Sequence, residues 1–392
     1  MSKVQMVMSQ GATRRSKGDR IAIAAIVLGM TVLAWSGLAI AGTQGNAKNA
    51  FLTSLGAPRI VGSTVPANGD VNPYGIAVVP STVGLLKQGD TLISNFNDKA
   101  NVQGTGTTIV EVSPSGKLTT FATIKSLPTT TPCPGGVGLT TALSILPGDW
   151  VVVGSLPSGA GGALPLVNPA GCLIVLSPQG AVVETWTNAN INGPWDMAEV
   201  TTKSGVDLFV ANVLSRPKGT SVTPPSGDAS TIVRMNISLS AGAAPRMISS
   251  TVIGSGFLSK PNKAALVQGA TGVALGHNGT LYVAETVQNR IAEISNALTR
   301  TTAEPDGSKT LTSGGWLNGP LGLTLAPNGD VIAMNGSNGN AVEISPSGHQ
   351  LAKVALVPNG SGDLFGVTIA SGGHGLLFVN DGTNALDLSQ HR

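Results

Sequence analysis

Apolar residues in this chain come in short alternating runs, each closed by a turn. The clearest run is Thr108 to Leu118, T-I-V-E-V-S-P-S-G-K-L: a strand, a Ser-Pro-Ser-Gly turn and the start of another strand. Leu173 to Val182 repeats it as L-I-V-L-S-P-Q-G-A-V, and Ala341 to Gln350 as A-V-E-I-S-P-S-G-H-Q. Looser copies begin at Ile232, Ile291 and Ala385. Period-two alternation marks a half-buried strand, so six copies of one strand–turn–strand phrase are present.

Two further strands precede each phrase. A Gly- or Pro-marked lead-in comes first: Asn72-Pro73-Tyr74-Gly75, then those ending at Gly138, Asp196, Gly272, Gly322 and Gly366. Tight turns such as Asn278-Gly279 and Asn328-Gly329 favour a hairpin into the next strand. Each repeat is then a four-stranded antiparallel meander of roughly 40 to 75 residues, the size of a propeller blade. One blade cannot bury both faces, so the blades must pack on one another around an axis. The sixth repeat runs out after three strands, and the isolated strand Pro58 to Val65 is expected to supply its fourth. That pairing closes the ring and removes an open edge. The expected fold is all-β: a six-bladed β-propeller over residues 58–392.

Asn318 to Asn335, N-G-P-L-G-L-T-L-A-P-N-G-D-V-I-A-M-N, resembles the NHL repeat, as does Thr271 to Ser295. Glu285, Asn289 and Arg290 match the later half of that family's pattern. The resemblance, to a propeller of the bacterial exported type, covers about residues 58 to 392. It implies six blades and fixes no activity, since such propellers include lyases, lactonase-like hydrolases, scaffolds and peptide or RNA binders.

The N-terminus is a separate object. Lys3, Arg14, Arg15, Lys17 and Arg20 precede an uncharged apolar run, Ile21 to Ala41, that ends in a small-x-small site. This is the layout of an export signal, and the run is also long enough for a transmembrane helix. Residues 1–41 are therefore a signal peptide or a membrane anchor, with the remainder periplasmic or extracellular, or held at the inner membrane by residues 21–41. Residues 42–57, small and polar, read as a linker. The leader also holds five of the 23 basic residues and one of the 20 acidic ones, which leaves the rest of the chain at −1. No nucleic-acid-binding face is expected from that balance. In an oxidising compartment Cys133 and Cys172 are candidates for a disulfide, with two separate buried thiols as the alternative.

The end of the second strand carries a repeating position: Asn95, Gly154, Asn212, Glu285, Asn335 and Asn380. In a propeller these form a ring at one height. Their oxygens suit a hard cation such as calcium, a polar ligand at the rim, or backbone amides of their own loops. Asp196 stands where the other repeats have Gly, and with Glu285 and Asn212 it is the candidate calcium set. Tyr74 and Trp195 sit beside it, as the floor of a pocket or as packing between blades. None of the four histidines falls at a lead-in or ring position, which removes histidine-based acid–base chemistry. The first expectation is an exported, non-catalytic propeller binding a protein, peptide or glycan at its rim. The alternative is a calcium-dependent hydrolase or lyase of the gluconolactonase type.

Overall fold

In the computed structural model, five of the six sheets run from an inner to an outer strand in chain order, because consecutive strands are neighbours, and the sixth takes its outer strand from the start of the described chain. The structure describes residues 49–159, 170–214, 227–263 and 265–392. The export or anchor segment lies outside them. Blade 1 comprises Val71–Val78, Thr91–Asn97, Thr108–Val112 and Leu118–Thr123; blade 2 Leu143–Leu146, Trp150–Ser155, Cys172–Leu176 and Val182–Trp186. Blade 3 comprises Pro194–Thr202, Gly205–Asn212, Gly227–Ser238 and the long strand Arg246–Asn262, with a short fifth strand, Leu266–Gln268, folded back on its end. Blade 4 is Ala270–Leu275, Leu281–Glu285, Arg290–Ile294 and Lys309–Ser313; blade 5 Pro320–Leu325, Val331–Asn335, Asn340–Ile344 and Gln350–Ala355. Blade 6 is Leu364–Ile369, Gly375–Asn380 and Ala385–Gln390, with Arg59–Ser63 as its outer strand. The chain is thus an all-β six-bladed propeller.

Each blade buries both faces, as its mostly apolar middle strands require. Six apolar clusters occupy the six blade-to-blade boundaries, and the last joins Val379 and Leu386 of blade 6 to Ile93 and Val110 of blade 1. Burying a Leu, Ile or Phe side chain contributes about 1.5–3 kcal/mol, so the boundaries hold the ring together.

Arg59 pairs with Leu388, Ile60 with Asp387, Gly62 with Leu386 and Ser63 with Ala385. The segment ahead of this strand differs from the linker reading. Phe51–Ser54 forms one helical turn, and Ala50, Phe51, Leu52 and Leu55 enter the cluster between blades 5 and 6. Its first amides find a charged acceptor: the N–H groups of Phe51 (2.9 Å) and Leu52 (2.7 Å) donate to the buried carboxylate of Glu343. Helix-start amides need such a partner, and a blade-5 strand supplies it. The two ends then interlock, with Gly56 N–H on Gln390 O (2.7 Å) and Arg392 N–H on Ser54 O. Cys133 and Cys172 are joined, Cα atoms 5.4 Å apart, tying the loop before blade 2 to that blade's third strand.

Candidate functional site

Strand register corrects one member of the ring. Val153 pairs with Leu143 as Ile93 pairs with Ile76, so blade 2 presents Ser155 at the ring position and not Gly154. The ring is therefore polar in all six blades: Asn95, Ser155, Asn212, Glu285, Asn335 and Asn380. All are buried, Asn95, Ser155, Asn212, Glu285 and Asn335 completely.

Most of these side chains fasten the segment that leads into their own blade. Asn335 accepts from Asn318 N–H (3.0 Å) and donates to Trp316 O (2.8 Å). Asn212 Oδ1 accepts from the amides of Asn192 and Gly193. Asn95 donates to Thr64 O (2.8 Å), and Ser155 Oγ bonds Gly136 O and Gly138 N–H. Glu285 accepts from Leu258 N–H (2.8 Å) and pairs with Arg290 at 2.5 Å. Each crossover has backbone groups that no strand satisfies, and a buried amide or carboxylate meets that need. The ring is thus a set of internal ties, not a displayed rim.

The same contacts dispose of the expected calcium set. Glu285 is committed to an arginine and Asn212 to two amides, while Asp196 faces elsewhere. Among the described residues no group of three or more His, Cys, Asp or Glu side chains is placed to hold a metal ion.

Asp196 belongs to the column of Gly75, Gly272, Gly322 and Gly366, with Ala142 as the blade-2 member. Inner strands crowd together at this height: a Cβ on Gly366 would lie 1.9 Å from Tyr74 O, and one on Gly272 2.1 Å from Leu321 O. Asp196 instead reaches between blades, its carboxylate accepting from Met197 N–H (2.9 Å) and Val273 N–H (3.2 Å). Burial pushes it up to about 7 against those two bonds.

Beside Asp196 an aromatic cluster crosses the axis. Tyr74 stacks on Phe365 (centroids 5.4 Å) and meets Trp195 edge-on at 5.8 Å, while Trp195 Nε1–H donates to the Tyr74 hydroxyl (2.8 Å). Phe96 completes it. Burial, and then Asp196, hold the Tyr74 phenol well above its usual value. The sequence singled out Tyr74 and Trp195 but missed Phe96 and Phe365.

The cluster stands between two cavities. The central channel, about 680 Å³, follows the inner strands from Tyr74 and Asp196 to Pro80 and His277. The other cavity, about 370 Å³, lies over the aromatic cluster on the face where chain crosses between blades. Its floor is Tyr74, Trp195, Phe96 and Phe365; its walls include Asn72, Asn101, Gln103 and Asp381, and no Lys, Arg or His lines it among the described residues.

Asp381 is the carboxyl of this second, upper pocket. Burial and the neighbouring Asp363 carboxylate raise it to about 7. The two are joined through backbone, Asp381 N–H donating to Asp363 O (2.8 Å). Asn72, oriented to satisfy both ends of its amide, donates to the Asp381 carboxylate and accepts from Asn97 Nδ2 (2.7 Å). Asn97 in turn donates to Asn101 Oδ1 (2.6 Å), so a chain of amides from blade 1 holds the carboxyl in place. The register shows why this pair stands out. Residues matching Asp381 are Phe96, Leu156, Val213, Thr286 and Gly336; those matching Asp363 are Asn72, Leu139, Gly193, Gly269 and Gly319. Only the closing blade has an acid in either column.

No family model matches the chain, so the NHL resemblance rests on the repeat phrase and the propeller fold; no curated protein sequence matches either. Solved structures do. A gluconolactonase from Xanthomonas campestris is similar at 12% identity and a TM-score of 0.50, over 86% of this chain and 95% of that one. A luciferin-regenerating enzyme is similar at 12% identity and a TM-score of 0.50, over 85% and 95%. Regucalcin from Agrobacterium tumefaciens, described as a calcium-binding protein, gives 11% identity and a TM-score of 0.49, over 84% and 93%. At such identities the likeness establishes the six-bladed propeller alone.

Proposed function

We propose that this protein is a hydrolase or lyase of small, neutral, hydroxyl-rich molecules, with its site in the upper pocket and Asp381 as the acid–base group. One observation carries the reading: Asp381, backed by Asp363 in columns where no other blade has an acid, lines a pocket with an aromatic floor and amide walls. A carboxyl held near 7 is present in both forms at neutral pH, so it can take a proton and return it. On an ester or lactone, Asp381 takes a proton from water as the oxygen adds to the carbonyl, then gives it to the departing alkoxide. Burial, and then Asp363, keep Asp381 from ionising fully; Asn72 orients it and, as a donor, opposes that shift, and the amides suit hydroxyl groups. Among the described residues the lining offers a carboxyl and no basic side chain, which disfavours phosphate and carboxylate substrates. Two similar propellers are described as enzymes, which favours catalysis over the non-catalytic rim binder.

A continuous proton-release assay over sugar lactones and neutral esters tests this. Turnover by the wild type, with kcat reduced about 100-fold or more in Asp381→Asn, is the expected result. Equal rates for the two proteins on every substrate would end the proposal, and binding without turnover would return the protein to the non-catalytic reading. Calcium belongs to the same experiment. A rise in Tm at millimolar calcium that Asp381→Asn abolishes would assign the ion to the Asp363–Asp381 pair.

A further inference from the structure

The closing blade carries an acid where its five fellows carry hydrocarbon. Asp387, on the third strand, pairs with Phe378. Its counterparts are Val110, Ile174, Val233, Ala292 and Val342, all completely buried. Asp387 is itself only 5% exposed and joins none of the ion pairs among the described residues. A lone carboxylate is costly there, and neutralisation is the ordinary escape.

The neighbouring side chain shows how the neutral form is held. Asn380 Nδ2 donates to Asp387 Oδ2 at 3.2 Å. Asp387 Oδ1 and Asn380 Oδ1 are both buried and both lack a partner. Two side chains that share one hydrogen bond are therefore each left with one unsatisfied acceptor. Both oxygens are buried, and one hydrogen shared between them gives each a partner. Placed on Asp387 Oδ1, it donates to Asn380 Oδ1 and completes a cyclic acid–amide pair with two hydrogen bonds.

We propose that Asp387 is held as the neutral carboxylic acid in the folded protein, paired with Asn380, and that this pair is a proton-dependent latch on ring closure. The strand that bears Asp387 is the one that Arg59–Ser63 joins, with Ile60 directly opposite Asp387. Losing the proton leaves a buried charge and two facing acceptors at that junction.

The charged groups around the latch do not supply a counter-charge. A cavity of about 470 Å³ between blades 5 and 6 has Asp387, Arg59 and Arg392 on its wall. Neither arginine is paired with Asp387. From blade 5 the wall is Val354, Ala355, Leu356 and Pro358, none of which titrates. Glu343 of that blade is engaged by the amides of Phe51 and Leu52. Burial raises Asp387, opposed by the bond from Asn380. A folded-state value above the unfolded one sets the sign: the latch contributes fully below about pH 4, the unfolded aspartate value, and is lost as pH rises through the folded value.

Asp387→Asn tests the latch, because an asparagine donates from Nδ2 where the acid donates its O–H and keeps the pair at every pH. The Tm difference between variant and wild type should be near zero at pH 4 and grow by several degrees in favour of the variant by pH 9. Amide exchange of Arg59–Ser63 should also speed up with pH more in the wild type than in the variant. A Tm difference that does not change with pH overturns the proposal. Should the variant fail to fold, NMR titration of the wild-type Asp387 carboxyl decides the matter. A midpoint raised above the unperturbed aspartate value of about 4 is expected, and one at or below it overturns the proposal.

Discussion

Asp196→Asn tests how the inner strands accommodate the one side chain that replaces glycine in their column with an acid. Burial raises the Asp196 carboxyl to about 7 from an ordinary value of 3.8. At about 1.4 kcal/mol per pH unit, a rise of roughly three units corresponds to at most about 4 kcal/mol, because Asp196 is half-buried and lines the central channel. The folded value is the higher one. Asp196 thus adds full stability below about pH 4, and that contribution falls steadily until pH reaches the folded value near 7. Asparagine keeps an oxygen for Val273 N–H and cannot ionise. The stability difference between variant and wild type should therefore move toward the variant by up to about 4 kcal/mol between pH 4 and pH 8. With an unfolding entropy of about 0.7 kcal/mol/K for a domain of this size, that is a relative gain of up to about 6 °C in Tm. Thermal unfolding of both proteins across that range is the assay. A constant offset, whatever its sign, would show that the carboxyl is well solvated and that the crowding argument at this height is wrong.

Other ties give their own signatures. Glu285→Ala leaves Arg290 as a buried, uncompensated charge and should cost about 3–5 kcal/mol in chemical denaturation, with no dependence on added calcium. Glu343→Ala removes the acceptor for two helix-start amides at about 1.5–3 kcal/mol each, and limited proteolysis should then cut near residues 49–56 before the blades open. Cys172→Ser frees a loop whose ends are 39 residues apart, worth about 4 kcal/mol on the chain-entropy view. Its Tm should fall and become insensitive to reductant.

The blades were legible because a propeller repeats one sentence, and T-I-V-E-V-S-P-S-G announces strand, turn and strand by alternation alone. Register was less legible. W-V-V-V-G-S from Trp150 has no polar residue until its end, so alternation could not separate Gly154 from Ser155, and only pairing with Leu143–Leu146 does. The ring was visible as a column of polar residues, but polarity does not say whether a side chain turns toward a ligand or toward its own crossover. The backbone groups left open by each crossover decide that, and they appear only in three dimensions. Asp381 escaped notice because it follows a ring position by one residue and acquires meaning only beside Asp363 and Asn72. Asp387 looked like the ordinary polar half of A-L-D-L-S until pairing with Phe378 placed it in a hydrocarbon column. Residues 50–55 looked like tether because one helical turn has no periodicity to display, and its partner Glu343 lies far along the chain.

The state of the Asp381 carboxyl is the most direct gauge of the upper pocket. An NMR titration of that side chain in the wild type and in Asp363→Asn measures it without knowledge of the substrate. A midpoint at about 7 that falls when Asp363 loses its charge is the predicted result. A midpoint near 4 in both proteins, the value of a free aspartate, would contradict the assignment of acid–base chemistry to this pocket.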